Sequence, residues 1–120
     1  MSAAPELARL TLNLAAAHHD RARPGGGGQR LVYGGHTIGI AAAQLCKTLP
    51  NLVTIIGWHH CNHLAPVFEG DVLRSTVHLE ETEALPDGGG LVTLRIEVSA
   101  QRADGALDDV LDWRLVGAMA

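Results

Sequence analysis

The chain of 120 residues is poor in basic residues and in long apolar runs, and each shortage excludes a class of protein. Nine Lys and Arg stand against thirteen Asp and Glu, so the formal net charge is −4. Nucleic-acid binding is not expected, because affinity for a phosphate backbone depends on an excess of positive charge. The longest apolar runs, such as Leu52–Trp58, are far shorter than the roughly 18 residues that span a bilayer. No membrane association is therefore expected.

The chain also has only two cysteines and no pattern typical of a secretory signal. No basic segment followed by an apolar stretch occurs at the N-terminus, which predicts a cytoplasmic location. Cys46 and Cys61 lack the paired spacing of metal ligands, and in a reducing compartment they are expected to be buried free thiols.

The stretch GWHHCNH raises the question of a metal site. Strand alternation would place His59, Cys61 and His63 on one face, and Trp58, His60 and Asn62 on the other. Three ligands on one face would extend over about 13 Å, at ~3.3 Å per residue, and could not converge on one zinc ion without a bulge. No metal site is predicted, and this polar patch is expected to line a substrate tunnel or a subunit interface.

Hydrophobic periodicity predicts a single α+β domain over residues 1–120. Glu6–Ala17 has the apolar spacing of a helix, and Pro24–Gly28 breaks regular structure. The run GGHTIGIAAAQLCKTLP predicts a long apolar helix that Pro50 ends. After Pro50 the spacing of apolar residues changes to the alternation that is typical of strands. Four antiparallel strands are predicted: Leu52–His63, Asp71–Glu83, Leu91–Arg102 and Val110–Val116.

Two segments resemble motifs of the MaoC-like hydratases and dehydratases of acyl thioesters. In that family an Asp-x-Asn-Pro-x-His motif precedes an Ala-His-Gly at the start of a central helix. Here NLAAAHHD has Asn13 and His18 where the family has its Asp and its final His, and Gly34 and Gly35 stand where it has His-Gly. APVFEGDVL (Ala65–Leu73) resembles the family's Pro-Val-x-x-Gly-Asp-x-Leu signature.

This resemblance extends over nearly the whole chain and is greatest to actinobacterial double-hot-dog acyl dehydratases and to mesaconyl-CoA hydratases. It implies a single hot-dog fold, in which an antiparallel sheet wraps around one central helix. It further implies reversible hydration of a 2-enoyl thioester, carried on coenzyme A or on an acyl carrier. Coenzyme A would then belong to the substrate, and no separate cofactor is expected.

Hydration of such a thioester needs proton transfer and stabilisation of enolate charge on the thioester oxygen. The imidazole of His18 suits the proton transfer, because a neutral His can accept a proton near pH 7. Amides at the head of the helix, at Gly35 and His36, suit the oxyanion. Tyr33, which lies next to them in the sequence, is a further expected substrate contact, whereas His19 is expected to be an exposed neighbour.

Asn13 departs from the family, because an amide side chain cannot act as a general base. Either His18 transfers protons alone while Asn13 orients it, or Asp20 supplies the missing carboxylate. The first interpretation is favoured, since Asp20 would need a reshaped loop. Arg30 is a further possible residue of the site, because a guanidinium could bind the phosphates of coenzyme A.

Two other functions are open at this point. A hot-dog thioesterase would need a carboxylate from the central helix, and no Asp or Glu occurs between Thr37 and Leu49. Alternatively, the chain is a non-catalytic subunit that binds acyl thioesters beside a MaoC-like catalytic partner. One hot-dog unit leaves a sheet edge uncovered, so a homodimer, a higher oligomer or a heteromer with another hot-dog subunit is expected.

Overall fold

The computed structural model describes residues 30–120 together with Ala4, Glu6 and Leu10. These three residues are helical, and the apolar Leu10 is 80% exposed. Apolar spacing identifies the residues that share a helix face without specifying what covers that face. The predicted site residues Asn13, His18 and Asp20 lie outside the described residues, as does His19.

The central helix, α1, spans Gly34–Thr48, as the run of small and apolar residues predicts. It ends where the Leu49 amide donates to the Leu45 carbonyl and Pro50 prevents a further turn. No helix in the described part of the chain is long and apolar enough to cross a membrane. The buried positions of α1 recur at helical spacing: His36, Thr37, Ala41 and Leu45.

Four antiparallel strands follow α1 and form one sheet. The α+β class is therefore confirmed, and the sheet has the strand order β1-β4-β3-β2. The last strand is longer at both ends than predicted, because its pairing with β3 continues through Asp108 and Asp109 at one end and through Gly117 and Ala118 at the other. The strands are β1 Leu52–His63, β2 Val72–Ala84, β3 Gly90–Gln101 and β4 Leu107–Met119.

One face of the sheet packs with α1 to form the core. Alternate side chains of β3 and β4 point into it, and Trp113 is the largest of them. Ala41 and Leu45 of α1 are completely buried in the same cluster. Gln44 holds the helix to β2, since its Nε2 donates to the Leu73 carbonyl at 3.1 Å and its Oε1 accepts from the Ser75 hydroxyl.

The edge strand β1 is irregular, because its register with β4 shifts three times. One shift lies between Trp58 and His60, and Trp58 consequently packs edge-on against Trp113, with ring centroids 5.0 Å apart. His60 lies 3.5 Å from the Asp112 carboxylate instead. The predicted placement of Trp58 on the face of His60 is wrong, because a bulge reverses the alternation that follows it.

Both cysteines are free thiols. Cys46 is exposed on α1, so the prediction that it is buried is wrong: it lies on the side of the helix away from Ala41 and Leu45. Cys61 is half-buried on β1, and burial, followed by the charge of Asp112, raises the pKa of its thiol. Among the described residues, no cluster of three or more His, Cys, Asp or Glu could hold a metal ion.

Arg102 connects the chain between β1 and β2 to the turn between β3 and β4. Its guanidinium forms an ion pair with Asp71, whose side chain is only 4% exposed, and donates to Asp108 at 3.0 Å. It also donates to the Pro66 carbonyl at 2.9 Å and lies 5.6 Å from the centre of the Phe68 ring. These contacts fix the segment between β1 and β2 that contains Pro66, Phe68 and Asp71.

Candidate functional site

The residues that precede α1 pair with the segment that carries the APVFEGDVL motif. The Val32 amide donates to the Val67 carbonyl at 2.8 Å, and the Glu69 amide donates to the Arg30 carbonyl at 2.8 Å. The side chains of Arg30 and Glu69 form an ion pair and are both mostly buried. This pair holds Arg30 beside the motif segment, and its contact with a coenzyme A phosphate stays a prediction.

A groove of about 460 Å³ opens at the head of α1, between this pairing and the end of β1. Its volume lies within the range of small-molecule sites, roughly 300–1,000 Å³. The polar groups in its described lining are the Gly34 backbone, Thr37, which is 2% exposed, and the His63 imidazole. The remaining described lining is mostly apolar: Leu31, Val32, Leu64, Ala65, Pro66 and Val67.

A larger cavity, of about 730 Å³, lies around Arg102. Its lining includes four carboxylates, which would repel an anionic ligand such as a coenzyme A phosphate, and its Arg is already paired with two of them. The smaller groove at the head of α1 is therefore the better candidate site. The four acidic residues of the larger cavity are Asp71, Asp104, Asp108 and Asp109.

The amides at the head of α1 differ in their availability to a ligand. The His36 amide already donates to the Tyr33 carbonyl at 3.1 Å, and its role toward an oxyanion stays a prediction. Within residues 30–120, the amides of Gly34 and Gly35 donate to no backbone carbonyl. Such amides carry the positive end of the helix dipole. Gly34 lines the groove and is a candidate donor, whereas Gly35 is not among its lining residues and its predicted role stays a prediction.

Tyr33 and the His36 side chain pack beside the helix head. Their ring centroids are 6.0 Å apart, and a Cβ at Gly35 would lie only 2.6 Å from the Tyr33 Cε2 atom. His36 is 8% exposed, its Nδ1 has no hydrogen-bond partner in the described part of the chain, and burial lowers the pKa of its imidazole. Neither ring lines the groove, so their contact with substrate stays a prediction.

The close approach of His63 to Gly34 was not predicted. A Cβ at Gly34 would lie 2.9 Å from both the Nε2 and the Cε1 atom of the imidazole, so a larger residue there would force the ring to move. The expectation of a polar patch in this part of β1 agrees with the place of His63 in the groove. The sequence contains one indication of this contact. Gly34 stands where the resembled motif has a His, and the missing side chain leaves space beside the helix head.

No family model matches the chain. Its sequence is 36% identical to that of the mesaconyl-CoA hydratase of Cereibacter sphaeroides, over 73% of this chain and 26% of that protein. A MaoC domain dehydratase structure from Chloroflexus aurantiacus is 27% identical, with a TM-score of 0.81, and the match covers 97% of this chain and 37% of that one. The resemblance to MaoC-like hydratases and dehydratases is confirmed.

The hot-dog fold is confirmed as well. A conserved protein of Mycobacterium tuberculosis, described as having a double hot-dog fold, is 51% identical to this chain, with a TM-score of 0.83. That match covers 99% of this chain and 36% of the mycobacterial one. The chain spans about a quarter of the length of the curated relatives it matches.

Proposed function

We propose that this MaoC-like chain catalyses the reversible hydration of a 2-enoyl thioester carried on coenzyme A or on an acyl carrier. The observation that carries the proposal is the groove at the head of α1, where apolar walls adjoin the Gly34 backbone. A thioester needs that combination, because its acyl chain is apolar while its carbonyl oxygen gains charge during the reaction. The similarity to a mesaconyl-CoA hydratase supports the same chemistry.

Hydration adds the oxygen of water to C3 of the acyl group and a proton to C2. His18 accepts the proton of the attacking water and returns a proton to C2, and Asn13 orients the imidazole or the water. The intermediate is an enolate, whose charge lies on the thioester oxygen. The amides of Gly34 and Gly35 donate to that oxygen, and the helix dipole adds to their effect.

Two alternatives compete with this proposal. A thioesterase needs a carboxylate near the carbonyl carbon, and the described lining of the groove contains none. A non-catalytic subunit would bind the thioester without converting it. Incubation with crotonyl-CoA and analysis of the products separates the three. We expect 3-hydroxybutyryl-CoA; release of free coenzyme A would indicate a thioesterase, and binding without conversion would indicate the subunit.

The chain assembles with a second hot-dog unit, in a homodimer, a higher oligomer or a heteromer. The edge strand β1 supports this, because Val53, Ile56 and Trp58 are 68, 58 and 53% exposed along it. Exposed apolar side chains on an unpaired edge are typical of a surface that another chain covers.

Light scattering after size exclusion tests the assembly of the pure chain. We expect a mass at least twice the 12.7 kDa of one chain, and Ile56→Lys should lower it, because burial of an unpaired ammonium is costly. Leu107→Lys is the control, since Leu107 is equally exposed but lies outside β1. A monomeric wild type would contradict self-assembly, and equal masses for both variants would contradict the use of β1.

A further inference from the structure

We propose that His63 donates a hydrogen bond to the thioester carbonyl oxygen, as a side-chain partner of the amides at the head of α1. This inference rests on the proposed function and assigns a substrate contact to a residue outside the two resembled motifs. The His36 amide already donates to the Tyr33 carbonyl, whereas the His63 imidazole borders Gly34 at the helix head.

The geometry of the groove supports this role. The imidazole edge that carries Nε2 and Cε1 lies where a side chain at Gly34 would begin, 2.9 Å from an ideal Cβ position. The ring thus borders the residue whose amide heads the helix. Both Gly34 and His63 line the same groove, so a ligand atom in it can approach the amide and the ring together.

His63 is also available to a ligand. Its side chain is exposed, and within residues 30–120 it takes part in no hydrogen bond or ion pair. Its backbone is nevertheless fixed by the sheet. His63 pairs with Leu111 of β4, and the Leu64 amide donates to the Val110 carbonyl at 2.9 Å. The paired backbone therefore fixes where the ring begins, while its nitrogens remain available to a ligand.

The chemistry fits a neutral imidazole with its proton on Nε2. Such a ring donates one hydrogen bond without carrying charge, and it needs no proton transfer to do so. The bond strengthens as the carbonyl oxygen becomes an enolate oxygen, so its effect is larger in the transition state than in the bound substrate. His18 keeps the proton-transfer role, and His63 contributes only to the oxyanion site.

The test uses the full chain and two variants of the same position. His63→Phe keeps a ring but has no donor, and we expect kcat for crotonyl-CoA hydration to fall roughly 10²–10³-fold with little change in KM. His63→Gln keeps an N–H donor and should restore most of the loss while leaving the pH profile unchanged. His59→Ala is the control, because His59 is exposed on the same strand but lies outside the groove lining.

A pair of glycine variants checks the geometry independently. Gly34→Ala should displace the imidazole and lower kcat, because the added Cβ collides with the ring. Gly39→Ala makes the same change in the same helix, where nothing lies within 4 Å of the added Cβ, and should leave kcat unchanged. Equal kcat for both variants would overturn the proposed position of the ring.

Butyryl-CoA, which has no double bond to hydrate, serves as the binding probe. We expect it to shift the NMR signals of the His63 ring nitrogens and to leave those of His59 in place. Binding that shifts the His63 signals without turnover of crotonyl-CoA would overturn the proposed function and support the contact. Wild-type kcat in His63→Phe would overturn the contact and leave the function standing, whereas absence of binding to the wild type would overturn both.

Discussion

Replacement of His18 by alanine should lower kcat for hydration of crotonyl-CoA by roughly 10²–10⁴-fold, the usual contribution of a general acid–base residue. His18 is the imidazole that the resemblance places at the proton-transfer position, and the described lining of the groove contains no carboxylate that could replace it. KM should change little, because proton transfer acts in the transition state. Steady-state kinetics on the purified chain measure both constants.

Neighbouring variants give this prediction its controls. His19→Ala should retain wild-type turnover, since His19 is expected to be an exposed neighbour. Asn13→Ala should slow turnover without abolishing it, because an amide that orients the imidazole does not itself transfer a proton. If Asp20→Asn is as inactive as His18→Ala, then Asp20 supplies the carboxylate that Asn13 cannot. Wild-type rates in His18→Ala would show that the assignment of the proton-transfer residue is wrong.

Replacement of Arg102 by alanine should lower the free energy of unfolding by roughly 3 kcal/mol, because it leaves the carboxylate of Asp71 buried without its cation. Asp71 is 4% exposed, and its remaining partner is the Phe68 amide, at 2.8 Å. The change also removes the hydrogen bond to the Pro66 carbonyl. Urea unfolding, followed by circular dichroism, measures the loss.

Arg74→Ala is the matched control for this variant. Arg74 is an exposed Arg of β2 with one hydrogen bond, to Gln101 at 3.0 Å, and its removal should change stability by no more than about 0.5 kcal/mol. The double change Asp71→Asn with Arg102→Ala should recover part of the loss, because no charge is then left buried. Equal destabilisation by Arg102→Ala and Arg74→Ala would contradict the account of the ion pair.

The order of the elements follows from local sequence. The small and apolar residues before Pro50 predicted α1, and the change to a period of two predicted the strands, including β1 over Leu52–His63 without error. Such patterns predict secondary structure correctly because the spacing of apolar residues shows which positions of one helix or strand face the core. They fail where pairing is irregular, as between Trp58 and His60, since nothing local marks a bulge.

The sequence by itself determined the fold class, the resemblance to MaoC-like enzymes and the glycines at the head of α1. Only the tertiary structure decided which groups meet there: it paired Arg30 with Glu69, engaged the His36 amide and brought His63 against Gly34. Periodicity and motifs describe neighbours along the chain. Gly34 and His63, 29 positions apart in the sequence, come into contact only because β1 runs back to the head of the helix.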